Sequence, residues 1–178
     1  MHTLVARLYR AFEKFFDFDK NLLTLGEHGV HEQTVTARLA IYLQSEFPRN
    51  DVDCEYNRYE EKKKIFIKEN KTFRPDIIVH QRGSGCKNNL IVIEAKKEND
   101  WEKDGDDLIK RLCIMTHQRS SESDQGGDYI FNYRLGLCWI IAQSEDPSRH
   151  NFLWFYNGEI IKKTTATRFL DQFDNIFY

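Results

Sequence analysis

Two short runs of consecutive apolar residues, Ile77-Ile78-Val79 and Leu90-Ile91-Val92-Ile93, constrain the fold of this 178-residue chain more than any other feature. They are rich in β-branched side chains, and a polar segment containing Gly83 and Gly85 joins them, so they read as neighbouring strands. A strand with one solvated face alternates apolar and polar residues. These runs do not alternate, so both faces need cover, as in the central strands of a sheet with layers on either side. Charge is confined to their ends, where Arg74-Pro75-Asp76 opens the first run and Glu94-Ala95-Lys96 closes the second. Glu94 and Lys96 share one face, about 6.7 Å apart along the strand, and pairing of the two strands brings Asp76 close to them. Burying two carboxylates and an ammonium is costly unless they bind a cation or each other.

The remaining pattern supplies the layers. A helix over about 3–16 carries Leu4, Leu8, Phe12 and Phe15 at helical spacing, 17–29 reads as a loop, and a second helix over about 31–47 carries Val35, Leu39, Tyr42 and Leu43 before Pro48 ends it. Val52, Cys54 and Tyr56 alternate with polar residues as in a half-exposed strand, and the charged segment 58–71, with Ile65-Phe66-Ile67 inside it, suggests a hairpin arm. The motif strands follow at about 76–81 and 90–96. A third helix over about 104–117 has Leu108, Leu112 and Met115 on its inner stripe, 120–128 is a polar loop, and a strand spans about 134–142. Segments 151–156 and 159–162 flank Asn157-Gly158, a strong hairpin signal, and a helix over about 167–173 closes the chain. No repeat or linker divides the sequence. The expectation is one α/β domain over 1–178, with a mixed sheet flanked by helices.

Composition narrows the class. Hydrophobic residues make up 40%, aromatics 13% and charged residues 30%, a globular balance with no apolar run near the roughly 20 residues that span a bilayer. The N-terminus mixes charge into its apolar positions and lacks a signal-peptide core, so the expected location is the cytoplasm. Cys54, Cys86, Cys113 and Cys138 form no CxxC pair and read as reduced residues, while His28 and His31 lack a second ligand pair for a metal. The net charge of −2 does not announce a nucleic-acid binder, yet local clusters exist: Lys62 to Lys64 with Lys68, Lys71 and Arg74, then Lys96-Lys97, Lys110-Arg111 and Lys162-Lys163.

Asp76 and Glu94 are oxygen ligands of the kind Mg²⁺ prefers, and one or two carboxylates with several retained waters is its usual protein coordination. Two such carboxylates without a cation repel each other, so the site is expected to need a metal. Lys96 can hold a water and offset charge, and the chemistry implied is hydrolysis of a phosphodiester. The Pro75-Asp76 and Glu94-Ala95-Lys96 motifs, within a helix-strand-strand-strand-helix-strand order, resemble the PD-(D/E)xK nuclease superfamily. The resemblance implies a restriction-endonuclease-like three-layer core over about 30–142 with a central mixed sheet. It implies that Asp76 and Glu94 bind catalytic Mg²⁺ (or Mn²⁺ in its place) and that Lys96 acts on the attacking water. It also implies an acidic metal-facing residue on the preceding helix. Glu32 fits that place, although a first-turn glutamate also favours a helix N-terminus in its own right; Glu55 is the alternative. On the following helix Lys110, Arg111 or Gln118, with Lys97 beside the motif, are the candidates to touch phosphate, although a solvated surface position is the more ordinary reading of each basic residue taken alone.

The function expected is therefore metal-dependent cleavage of nucleic acid, most simply DNA, with a homodimer serving both strands of a duplex. A non-catalytic nucleic-acid-binding or assembly module on the same fold is the alternative, since fold does not dictate activity. A phosphoesterase for small phosphates is a third reading, and no Gly-rich phosphate loop of the GxxxxGK type supports it. Trp154-Phe155-Tyr156 suits an interface or, more ordinarily, a core.

Overall fold

The computed structural model describes residues 1–25, 30–56, 74–117 and 131–166, together with the backbone of four two-residue strands between 58 and 72. Among the described residues three α-helices and a six-stranded mixed sheet form an α/β architecture. In chain order these are α1 (His2–Phe18), α2 (Glu32–Glu46), β1 (Asp51–Cys54), β2 (Ile77–His80), β3 (Ile91–Lys97), α3 (Glu98–Thr116), β4 (Leu135–Ile141), β5 (Asn151–Tyr156) and β6 (Glu159–Thr165). The strands lie side by side in that same order. Every neighbouring pair is antiparallel except β3 and β4, which run parallel because α3 carries the chain back between them.

The uninterrupted apolar runs are covered on both faces. Ile77, Val79, Ile91 and Ile93 face α1 and α2, where Leu8, Phe12, Phe15, Val35, Leu39 and Leu43 join them in one core. Ile78 and Val92 face the other way, onto Leu108, Leu112 and Met115 of α3. Trp139 of β4 anchors the first core, with Phe12 and Phe15 edge-on at 5.1 and 5.3 Å between ring centroids. Of the apolar stripes read from the sequence, Leu4 and Tyr42 are half-buried and the rest are buried. Trp154 and Phe155 are core residues, and Tyr156 is exposed.

The N-terminal region departs from the expected loop over 17–29. The first helix continues to Phe18, and Lys20–Leu23 forms a 3₁₀ turn that buries Leu23. Tertiary contacts hold this segment: Arg38 donates to the Asp19 carboxylate at 3.0 Å, and the Tyr42 hydroxyl donates to the same group. On α2 the N-cap is His31, whose Nδ1 accepts the Gln33 N–H at 3.3 Å. His31 is a capping residue here, and its expected companion His28 lies outside the described residues.

The third helix begins six residues earlier than the expected 104, directly after β3. Glu98 and Asp100 in its first turn suit the positive end of the helix dipole, and Trp101 and Gly105 extend the inward stripe towards the N-terminus. The Asn157-Gly158 turn has φ values of 50° and 81°, as a two-residue hairpin requires. Its second strand runs to Thr165, three residues past the expected end, with a register shift between Ile160 and Lys162. Two short antiparallel ladders, 58–59 with 62–63 and 65–66 with 71–72, occupy the expected hairpin arm. The side chains of that arm, the 120–128 loop, Gln118 and the helix expected over 167–173 lie outside the described residues. Cys54, Cys113 and Cys138 are free thiols, and among the described residues no helix is long and apolar enough to cross a membrane.

Close packing of α3 on the sheet depends on Gly136. A Cβ there would stand 2.8 Å from Thr116 Cγ2 and 3.0 Å from Phe155 Cβ, both in tightly packed surroundings. Gly136→Ala is expected to lower stability by about 1–3 kcal/mol, as overpacked cores do. Urea unfolding followed by tryptophan fluorescence measures it, and an unchanged midpoint would contradict this packing.

Candidate active site

Register builds the site. Ile77 pairs with Ile93, so one further step of the same ladder sets Asp76 opposite Glu94 at the end of β2. The chain stays close to β1 there, since the Glu55 N–H donates to the Asp76 carbonyl at 3.1 Å. The Asp76 carboxylate turns to β3 and accepts the Ala95 N–H through Oδ2 at 2.7 Å. Alternation along β3 sends Glu94 and Lys96 to the α3 face, with Glu94 beside Cys138 of β4.

Glu94 is only 5% exposed. Its Oε2 lies 4.0 Å from Arg111 Nη2, and its Oε1 has no hydrogen-bond partner among the described residues. Burial drives the Glu94 carboxyl well above the usual carboxylate range; the Asp76 charge adds to this, and Arg111 and Lys96 offset only part. Burial likewise pushes the Asp76 carboxyl up to about 6, against the Ala95 hydrogen bond, with a further push from the Glu32 charge. Both carboxylates are therefore short of positive charge.

Lys96 reaches α3. Its Nζ lies 3.0 Å from Asp104 Oδ2 and 3.9 Å from Glu32 Oε2. Burial alone would lower the Lys96 pKa, but the Asp104 hydrogen bond and the charges of Glu32, Asp104 and Asp100 hold the ammonium above its ordinary value.

The other expected residues are distributed more widely. Glu32, the first residue of α2, leaves its own helix and accepts the Lys97 N–H through Oε1 at 2.6 Å, which ties α2 to the start of α3. It is not gathered with Asp76 and Glu94 into one three-ligand group. Among the described residues no set of three or more His, Cys, Asp or Glu side chains is arranged to hold a metal ion. Glu55 accepts from the Gln33 amide and lies 3.4 Å from Arg74 Nη1. Of the two basic residues on α3, Arg111 is the one facing the site; Lys110 is solvent-exposed and lies 3.9 Å from Asp107, one turn away. Lys97 lines a cavity of about 170 Å³ with Val35, Asn99, Gln143 and Arg149. Lys162 and Lys163 lie on β6, with β4 and β5 between them and β3.

Asp104 is the site residue that the sequence reading did not assign. Its signal was present, because Asp104, Leu108 and Arg111 fall at i, i+4 and i+7 on the same face of α3.

What the arrangement can do chemically follows from its unmet charge. A buried and a half-buried carboxylate with suppressed acidity, the buried one with an oxygen that has no partner among the described residues, fit an oxygen-seeking divalent cation that keeps most of its waters, for which Asp76 and Glu94 suffice. In the metal-free protein their ionisation opposes folding. A carboxyl whose folded pKa is raised contributes fully below its unfolded pKa, near 3.8, and loses that contribution as pH rises through about 6. Asp76→Asn is therefore expected to match the wild type near pH 3.5 and to exceed its stability at pH 8 by about 1–3 kcal/mol. Urea titrations in chelator at the two pH values test this, and equal stability at pH 8 would refute the cost assigned to Asp76 ionisation.

Comparison of the chain with protein-family models, with curated proteins and with solved structures found no match, so the case for a function rests on these residues.

Proposed function

We propose that the protein is a divalent-metal-dependent nuclease of the PD-(D/E)xK type, hydrolysing phosphodiester bonds in DNA on a restriction-endonuclease-like fold. The observation that carries this reading is the pair of half-buried Asp76 and buried Glu94, with Glu94 Oε1 lacking a partner among the described residues and Lys96 two residues beyond Glu94 on the same strand face. Asp76 and Glu94 would hold Mg²⁺ or Mn²⁺, which when bound supplies Lewis acidity and a more acidic water. Lys96 offers N–H donors and positive charge at the α3 side of the pair, suited to orienting a water or a phosphate oxygen. Arg111, facing Glu94 from α3, adds positive charge beside the carboxylates. Glu32 holds the Lys97 backbone and so steadies the end of β3 from which Lys96 projects. The motif's resemblance to DNA-cleaving families favours DNA as the polymer cut.

Incubation of the purified protein with supercoiled plasmid, single-stranded DNA and RNA tests this directly. Cleavage is expected with Mg²⁺ or Mn²⁺ and not with excess chelator. Asp76→Asn, Glu94→Gln and Lys96→Ala are each expected to lower the rate by about 10²–10⁴-fold. Mg²⁺ at pH 8 is expected to raise the Tm of the wild type and not that of Glu94→Gln. Salt-sensitive DNA binding without cleavage of any substrate would instead favour a non-catalytic binding module.

A further inference from the structure

Strand β3 and helix α3 face each other with alternating charge. The strand presents Glu94 and Lys96 on one face, about 6.7 Å apart. The helix answers with Arg111 and Asp104, two turns or about 10.5 Å apart. Arg111 Nη2 stands 4.0 Å from Glu94 Oε2, and Asp104 Oδ2 stands 3.0 Å from Lys96 Nζ. The chain turns from β3 straight into α3, so the two pairs align without crossing.

An exposed lysine–aspartate pair is often mere decoration. Lys96 differs in two respects. Its side chain is 20% exposed, so its stem is largely enclosed by protein, and two carboxylates rather than one converge on its ammonium. The second of these, Glu32, is itself fixed by the Lys97 N–H at 2.6 Å. A free lysine stem samples many rotamers, and a small error in placing a reacting group costs rate steeply.

We propose that Asp104 is a positioning residue, gripping the Lys96 ammonium from α3 and so setting where that cation stands beside the Asp76–Glu94 pair. The consequence for catalysis rests on the nuclease reading above; the grip itself does not.

Two measurements separate these. In the first, Asp104→Asn keeps the shape and removes the charge; kcat is expected to fall about 10–100-fold with KM within about twofold, and Asp104→Glu is expected to recover most of the loss. The double variant Asp104→Asn/Lys96→Ala is expected to be no slower than Lys96→Ala, because the two residues act as a unit. In the second, nitrogen-15 spectra of the lysine ammonium groups are expected to show one exchange-protected signal in the wild type, absent in Lys96→Ala and lost in Asp104→Asn. Wild-type kcat in Asp104→Asn, or persistence of the protected signal in it, overturns the proposal. If the wild type cleaves nothing, the nuclease reading falls, and the spectra alone then decide whether Asp104 holds Lys96.

Discussion

The antiparallel register of β2 on β3, with Ile77 opposite Ile93, is the constraint on which both the core and the site depend. A slip of one residue would exchange the two faces of a strand. Glu94 would then enter the core formed by Phe12, Phe15 and Trp139, while Ile93 would face α3. An unpaired carboxylate in such a core costs several kcal/mol. The apolar core and the charged site thus enforce one register together. That register also sets Asp76 across from Glu94, where the Ala95 N–H binds it.

Helix α3 converts this pair of strand ends into a site. Because it follows β3 with no intervening loop and leads to the parallel strand β4, it must lie across the sheet face that Glu94 and Lys96 share. Its apolar stripe holds it there through Leu108, Leu112 and Met115, and Gly136 allows Thr116 to approach β4 closely. The same face then brings Asp104 to Lys96 and Arg111 to Glu94. The arrangement is unfavourable for stability, since burial raises the pKa of both Asp76 and Glu94. Ionisable groups held at such a cost are common at binding and catalytic sites, which accords with the function proposed above.

Much of this was legible in the sequence. The two-sided burial of β2 and β3 follows from their unbroken apolar runs, the stripes of α1, α2 and α3 from helical spacing, and the β5–β6 hairpin from Asn157-Gly158. The start of α3 was less so, because its first two turns carry mostly charged residues and the stripe rests on Trp101 and Gly105 alone. The 3₁₀ turn at Lys20–Leu23 was not legible, since its anchor is the contact of Asp19 with Arg38 and Tyr42 on another helix. Nor could spacing decide between Lys110 and Arg111. They are adjacent in sequence but about 100° apart around the helix, and only docking shows which one faces Glu94.

The sequence alone assigns the central strands and the charges at their ends, because periodicity and backbone propensity are local. It also determined that Glu94 and Lys96 share a face, through strand alternation alone. Their partners come from the folded arrangement. Glu32 reaches across 65 residues to the Lys97 N–H, Asp104 takes Lys96, and Arg111 faces Glu94. Those pairings depend on how helices dock on the sheet, and docking is set by the summed packing of both cores, a quantity that no single segment of sequence contains.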